Sequence, residues 1–148
     1  MRQRTRLLIG IGFAVFVFLV VAALLARALT GAGDERAQVL TVLEAQARGD
    51  ADAMLAEMPA CRAEPACAQV TRDRAAELQR PGAVEILQYT PSVRVALTER
   101  TGAGRVAWRA GDSLPVVQCV RARRNGPLAG AGAEILALSA PIGGEDGC

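Results

Sequence analysis

The chain has no histidine and no lysine, a single asparagine at Asn125, and only one tryptophan, one tyrosine and three phenylalanines in 148 residues. Without histidine the commonest general base and metal ligand is missing, and without lysine the Ser-Lys variant of a hydrolase is missing too. Aromatics are 3% of the chain against 51% hydrophobic residues, so its core is predicted to consist of Ala, Val and Leu with few large anchors. All 17 basic residues are arginine. Together with the dearth of Lys and Asn, this reads as the coding bias of a G- and C-rich bacterial genome rather than as a set of phosphate contacts. A positive field is lacking as well. Arg2, Arg4, Arg6 and Arg27 belong to the N-terminal segment, which leaves 13 arginines against 15 acidic residues beyond it. A net charge of about −2 there excludes the electrostatic footprint of nucleic-acid binding.

What the chain does have is one long apolar run. Leu7–Ala26 is twenty residues without a charge, which at about 1.5 Å per residue matches the roughly 30 Å of a bilayer core. It is predicted to be a transmembrane signal anchor with the lipid bilayer as its partner. Three arginines precede it and only Arg27 follows closely, so the positive-inside rule keeps residues 1–6 cytoplasmic. Residues 27–33 then read as a linker, and 34–148 as an extracytoplasmic domain of a single-pass protein in the cell membrane. The alternative is a domain secreted after cleavage, because Ala26-Arg27-Ala28 resembles a processing site.

Cys61, Cys67, Cys119 and Cys148 all lie on the side expected to be oxidising, where disulfides persist. Four cysteines allow three connectivities. Proximity around the turn in "CRAEPAC" favours Cys61 with Cys67, leaving Cys119 for Cys148. The spacing does not match a four-cysteine zinc site, and no metal or cofactor is expected.

Apolar residues at helical spacing predict helices over Asp34–Arg48, over "GDADAMLAEM" with Asp50 as its cap, and from about Ala66 to Arg80. Beyond Gly82 the period falls to two. Strands are expected from Val84 to Tyr89, from Val93 to Leu97, through Val106 and Trp108, over Val116–Arg123 and over Glu134–Ala140. "TGAG" at 101–104 reads as a hairpin turn, and "NGPLAGAG" as a Gly-rich loop. Helices first and strands afterwards is an α+β order: three helices packed on a curved antiparallel sheet of four to five strands.

Val39 to Met58, with the small "GDADA" joint, and the hairpins from Val93 to Val120 carry a resemblance to the cone-shaped fold of nuclear transport factor 2 and ketosteroid isomerase. It covers most of residues 34–142. The resemblance implies a cone-like α+β roll with an interior pocket, in a superfamily that holds isomerases, dehydratases and polyketide cyclases beside many members without catalysis. None of the superfamily's catalytic positions carries over to this chain.

Asp73, Tyr89 and Trp108 are the residues expected to line any pocket. Arg121, Arg123 and Arg124 form a possible contact for anions. Gly111-Asp112-Ser113-Leu114 spells the block that names a family of lipases and esterases, but without a histidine Ser113 has no base, and the block reads as a turn. No catalytic residue is assigned. Several strands look apolar on both faces, which points to an envelope partner or a second copy covering the sheet. The expected function is a non-catalytic binding or assembly module of the cell envelope. The alternative is a small-molecule enzyme of the isomerase, dehydratase or cyclase type, using a pocket inside the cone.

Overall fold

The structure, a computed structural model, describes residues 2–92, 99–124 and 132–148, with side chains described for 10–26 and from 33 onward. Helix α1 (Arg2–Arg48) is followed by α2 (Ala51–Glu57), α3 (Pro59–Ala63) and α4 (Pro65–Glu77). Strands β1 (Val84–Thr90), β2 (Arg100–Ala110), β3 (Val116–Arg124) and β4 (Ala133–Pro141) come after them. They pair antiparallel in chain order as one four-stranded sheet, so the fold is α+β. The strand expected at 93–97 and most of the Gly-rich loop lie outside the described residues.

Among the described residues no helix is long and apolar enough to cross a membrane, which corrects the transmembrane helix expected at 7–26. Residues 27–33 continue α1 instead of forming a separate linker, and Asp34 starts no new helix. A glycine inside a helix costs roughly 1 kcal/mol, and here Gly31 and Gly33 are flanked by helix-forming sequence on both sides.

Helix α1 ends where the sequence says it should. Gly49 has a positive φ of 73°, its N–H donates to the Gln46 carbonyl at 2.9 Å, and the Asp50 N–H donates to the Ala45 carbonyl at 2.9 Å. This double closure satisfies carbonyls that the last turn would otherwise leave bare. Asp50 then caps α2 by accepting from the Ala53 N–H at 2.9 Å. The single helix expected over 66–80 is α4, preceded by the separate short α3. Each begins on a proline, Pro59 and Pro65, at the first helical position, where a missing N–H costs nothing.

"TGAG" is not a turn. Residues 101–104 lie inside β2 and pair with Arg123, Ala122, Arg121 and Val120. Glycine serves close approach there: a Cβ on Gly104 would come within 2.5 Å of the Thr90 carbonyl oxygen. β1 carries a bulge between Ile86 and Gln88. The extra residue, Leu87, shifts the alternation, so that Tyr89 pairs with Val106 on the same inner face on which Ile86 pairs with Trp108.

The core lies between that inner face and the helices. Val39, Val42 and Leu43 of α1, Met54 and Leu55 of α2, and Ala68 and Ala75 of α4 pack with Val106, Trp108, Val120 and Ile135. Trp108 is completely buried and is its largest side chain. With so few aromatics available, burial of this one indole sets the size of the interior.

Candidate functional site

Two polar networks lie on the inner face of the sheet. At its centre Gln118 of β3 accepts from the Trp108 indole N–H at 2.8 Å and from the Gln46 amide at 3.2 Å, and donates to the Ser139 carbonyl at 2.9 Å. Gln46 and Gln118 are completely buried. The Gln46 Oε1 has no partner.

The second network lies at the end of the domain where α1 enters it. Glu35 of α1, completely buried, accepts from the Tyr89 hydroxyl, from the Ser92 N–H at 3.0 Å and from the Arg124 guanidinium at 2.6 Å. Arg124 is only 5% exposed, so this is a buried ion pair. Burial raises the Tyr89 phenol well above its ordinary value, and the Glu35 carboxylate beside it adds to the shift by hydrogen bond and charge, opposed by Arg124. Tyr89 is therefore a neutral donor locked onto Glu35. The network ties α1 to the ends of β1 and β3, and its carboxylate accepts from three donors.

Of the three residues singled out for a pocket, Tyr89 and Trp108 lie on the inner face of the sheet and Asp73 does not. Tyr89 and Trp108 belong to these two separate networks, while Asp73 is exposed on α4 and accepts from Gln69 at 2.9 Å. The arginine cluster is divided as well. Arg124 points inward to Glu35, while Arg121 and Arg123 share the outer face, because alternate residues of β3 face opposite ways. Arg123 pairs with Glu134 at 2.5 Å and lies 3.9 Å from Glu99. Its guanidinium is raised above its ordinary value by the hydrogen bond to Glu134, reinforced by that charge. Arg121 is exposed and makes no ion pair among the described residues.

Both disulfides are present, Cys61–Cys67 and Cys119–Cys148, with Cα separations of 5.2 and 5.6 Å. The second fixes the C-terminal segment across the outer face of the sheet. The Ile142 N–H donates to the Val117 carbonyl at 2.8 Å, and Arg105 donates to the Gly144 carbonyl. Much of the outer face is thus occupied by the chain itself or by ion pairs such as Arg109–Glu85 at 2.8 Å.

Ser113 lies in the turn between β2 and β3. Its hydroxyl accepts from the Ala110 N–H at 3.2 Å and its own N–H donates to the Ala110 carbonyl at 3.0 Å. The surface has a shallow cleft lined by Glu64, Cys67, Arg121 and Leu136. A longer groove runs between the C-terminal end of α1 and the start of β1, past Arg48, Arg80 and Gly82. Among the described residues no cluster of acidic or cysteine side chains could hold a metal ion.

No family model, curated protein or solved structure matches this chain.

Sequence reasoning did not find Glu35. Nothing in "GAGDERAQVL" separates it from its exposed neighbours Asp34 and Arg36 except its place on the same helical stripe as Val39, Val42 and Gln46. A carboxylate in register with a core stripe is the signal that was available.

Proposed function

We propose that the chain is a non-catalytic binding or assembly module that works outside the cytoplasm of a bacterium. The observation that carries this reading is the pair of disulfides that use all four cysteines. Bonds of this kind persist in oxidising compartments and are rare in the cytosol. The buried ionisable groups engage one another, Glu35 with Tyr89 and Arg124, which gives them a role in holding the domain together. What the molecule offers outward is surface: grooves, an open strand edge and an apolar helix.

That helix has to be covered. Phe13, Phe16 and Phe18 are 64–70% exposed, and a helix apolar on every side is buried in a working protein, by protein or by lipid. Lipid is the partner assigned to it in this reading. The test is acid trapping of the native chain in cells followed by alkylation of free thiols, with flotation of the purified chain on liposomes. Four protected cysteines and co-flotation are expected. Four alkylated thiols would place the protein in a reducing compartment and sink the reading.

A further inference from the structure

We propose that the open edge of β1, with the groove at its foot, takes an extended segment of a partner protein that carries an acidic side chain. This rests on the binding reading above and names the surface and the partner's chemistry.

Helices pack against both edge strands of the sheet. Along β4, α3 and α4 pack against the strand, and the Cys67 sulfur lies 4.0 Å from the Leu136 carbonyl. α1 packs against the inner face of β1 in the same way, and what stays open there among the described residues is the backbone edge. The Gly111 N–H donates to the Ala83 carbonyl at 3.0 Å, and Val84 and Glu85 are in register with Ala110 and Arg109. Backbone groups alternate along an antiparallel ladder, so Ala83 and Glu85 turn theirs to β2 while Val84 and Ile86 turn theirs outward. No other element hydrogen-bonds those outward groups among the described residues. The bulge at Leu87 ends this regular stretch, and Leu87 itself is 45% exposed beside it.

At the foot of the edge, Ala47 and Arg48 of α1 face Gly82 and Val84 across the groove, which continues past Arg80. The Arg80 N–H donates to the Ala47 carbonyl at 2.9 Å, and Gln79 donates to the Arg48 carbonyl at 3.2 Å, which fixes the two chain segments that carry the arginines. Neither guanidinium enters an ion pair among the described residues, and the Arg80 Nε is buried without a hydrogen-bond partner. Among the described residues Glu44 is the one acidic side chain lining the groove, leaving two guanidiniums to one carboxylate. A buried donor on a charged group calls for an acceptor, and a carboxylate meets a guanidinium with two parallel bonds. An extended peptide added to β1 would gain main-chain hydrogen bonds from Val84 and Ile86 and specificity from that carboxylate. A second copy pairing through its own β1 brings Glu85, which Arg109 already holds at 2.8 Å.

The test uses the full chain in detergent micelles and a synthetic library of random seven-residue peptides. Enrichment of Asp or Glu at one position is expected, with slowed hydrogen exchange at Val84 and Ile86. The enriched peptide should bind about tenfold more weakly when its acid is replaced by the amide, and similarly to Arg80→Gln or Arg48→Gln. Val84→Pro should abolish binding, since it removes an outward N–H and leaves the β2 ladder intact. Arg109→Gln should bind as the parent does. Fold is checked by retention of both disulfides and of the thermal transition. No enriched peptide, no acidic preference, or binding without protection of Val84 and Ile86 overturns the proposal. Protection of those amides in a peptide-free dimer overturns it in favour of a second copy. A native partner that protects a different face sinks this inference and leaves the binding reading standing.

Discussion

Glu35 and Arg124 offer the sharpest test of how the domain is held together. The two are 0% and 5% exposed and meet at 2.6 Å. Replacing Glu35 with glutamine removes the negative charge and leaves the guanidinium buried without it. Replacing Arg124 with methionine leaves a carboxylate with two neutral donors, Tyr89 and the Ser92 N–H. Breaking a buried pair from one side costs about 3–5 kcal/mol, a large part of the 5–15 kcal/mol typical of a domain. In the double variant both charges of this pair are gone, and the glutamine can still accept from Tyr89 and Ser92. Its loss should fall short of the summed single losses by about 2–3 kcal/mol. Urea unfolding of the full chain in mild detergent, followed by fluorescence, measures all four proteins cleanly, because Trp108 is the one tryptophan and is completely buried. Single losses below about 1 kcal/mol, or additivity within about 0.5 kcal/mol, would refute the argument.

Other consequences can be checked on the same preparations. Cys119 and Cys148 are 29 residues apart and Cys61 and Cys67 are 6 apart. Loop entropy then gives losses of about 3.6 kcal/mol for Cys148→Ser and about 2.2 kcal/mol for a Cys61→Ser, Cys67→Ser double variant. Urea melts that reverse this order would contradict the loop argument. Cys148→Ser should also bring faster hydrogen exchange along residues 142–147, whereas unchanged exchange there would show that the disulfide does not hold the segment down. Tyr89 is the single tyrosine, and its phenol is raised above the ordinary 10.0. Below pH 10 it is neutral in both folded and unfolded chains and its contribution is complete. As pH rises past 10 the unfolded chain loses the phenolic proton while the folded one keeps it, so stability falls. Phenolate absorbance should therefore appear together with unfolding, and a reversible titration near pH 10 in the folded protein would be the wrong result. In the central network Gln46→Met removes an acceptor that has no partner and should change stability by less than about 1 kcal/mol, while Gln118→Met strands the Trp108 N–H and the Ser139 carbonyl and should cost about 2–4 kcal/mol. Equal losses in the two variants would show that the network is not organised around Gln118.

The parts of this fold that local chemistry fixes were legible in the sequence. Gly49 and Asp50 mark a helix end and a helix start, and the conformation at Gly49 and the cap at Asp50 are there. Cys61 and Cys67 are close enough in the chain that their pairing follows from proximity, which then leaves Cys119 and Cys148 for each other. The errors arise where long-range packing overrides a local signal. "TGAG" has the composition of a turn, but Gly104 is needed where the Thr90 carbonyl crowds the strand. The β1 run looked apolar on two faces because period-2 counting cannot see a bulge, and one extra residue moves Tyr89 to the inner face. The arginine cluster looked like one surface feature, yet Arg124 is drawn inward by a carboxylate 89 positions away. Pairing of that kind depends on the fold and leaves little trace in the neighbouring residues.

The measurement that bears most directly on a binding role is photo-crosslinking in living cells, with a photoreactive side chain at Leu87 on the open edge and a control at Arg72, exposed on α4. A binding module that docks its partner on β1 gives one discrete adduct from position 87, joined to a peptide containing an acidic residue, and none from position 72. A folded and oxidised protein that yields no adduct at position 87, or the same diffuse products at both positions, would contradict docking of a partner on this edge.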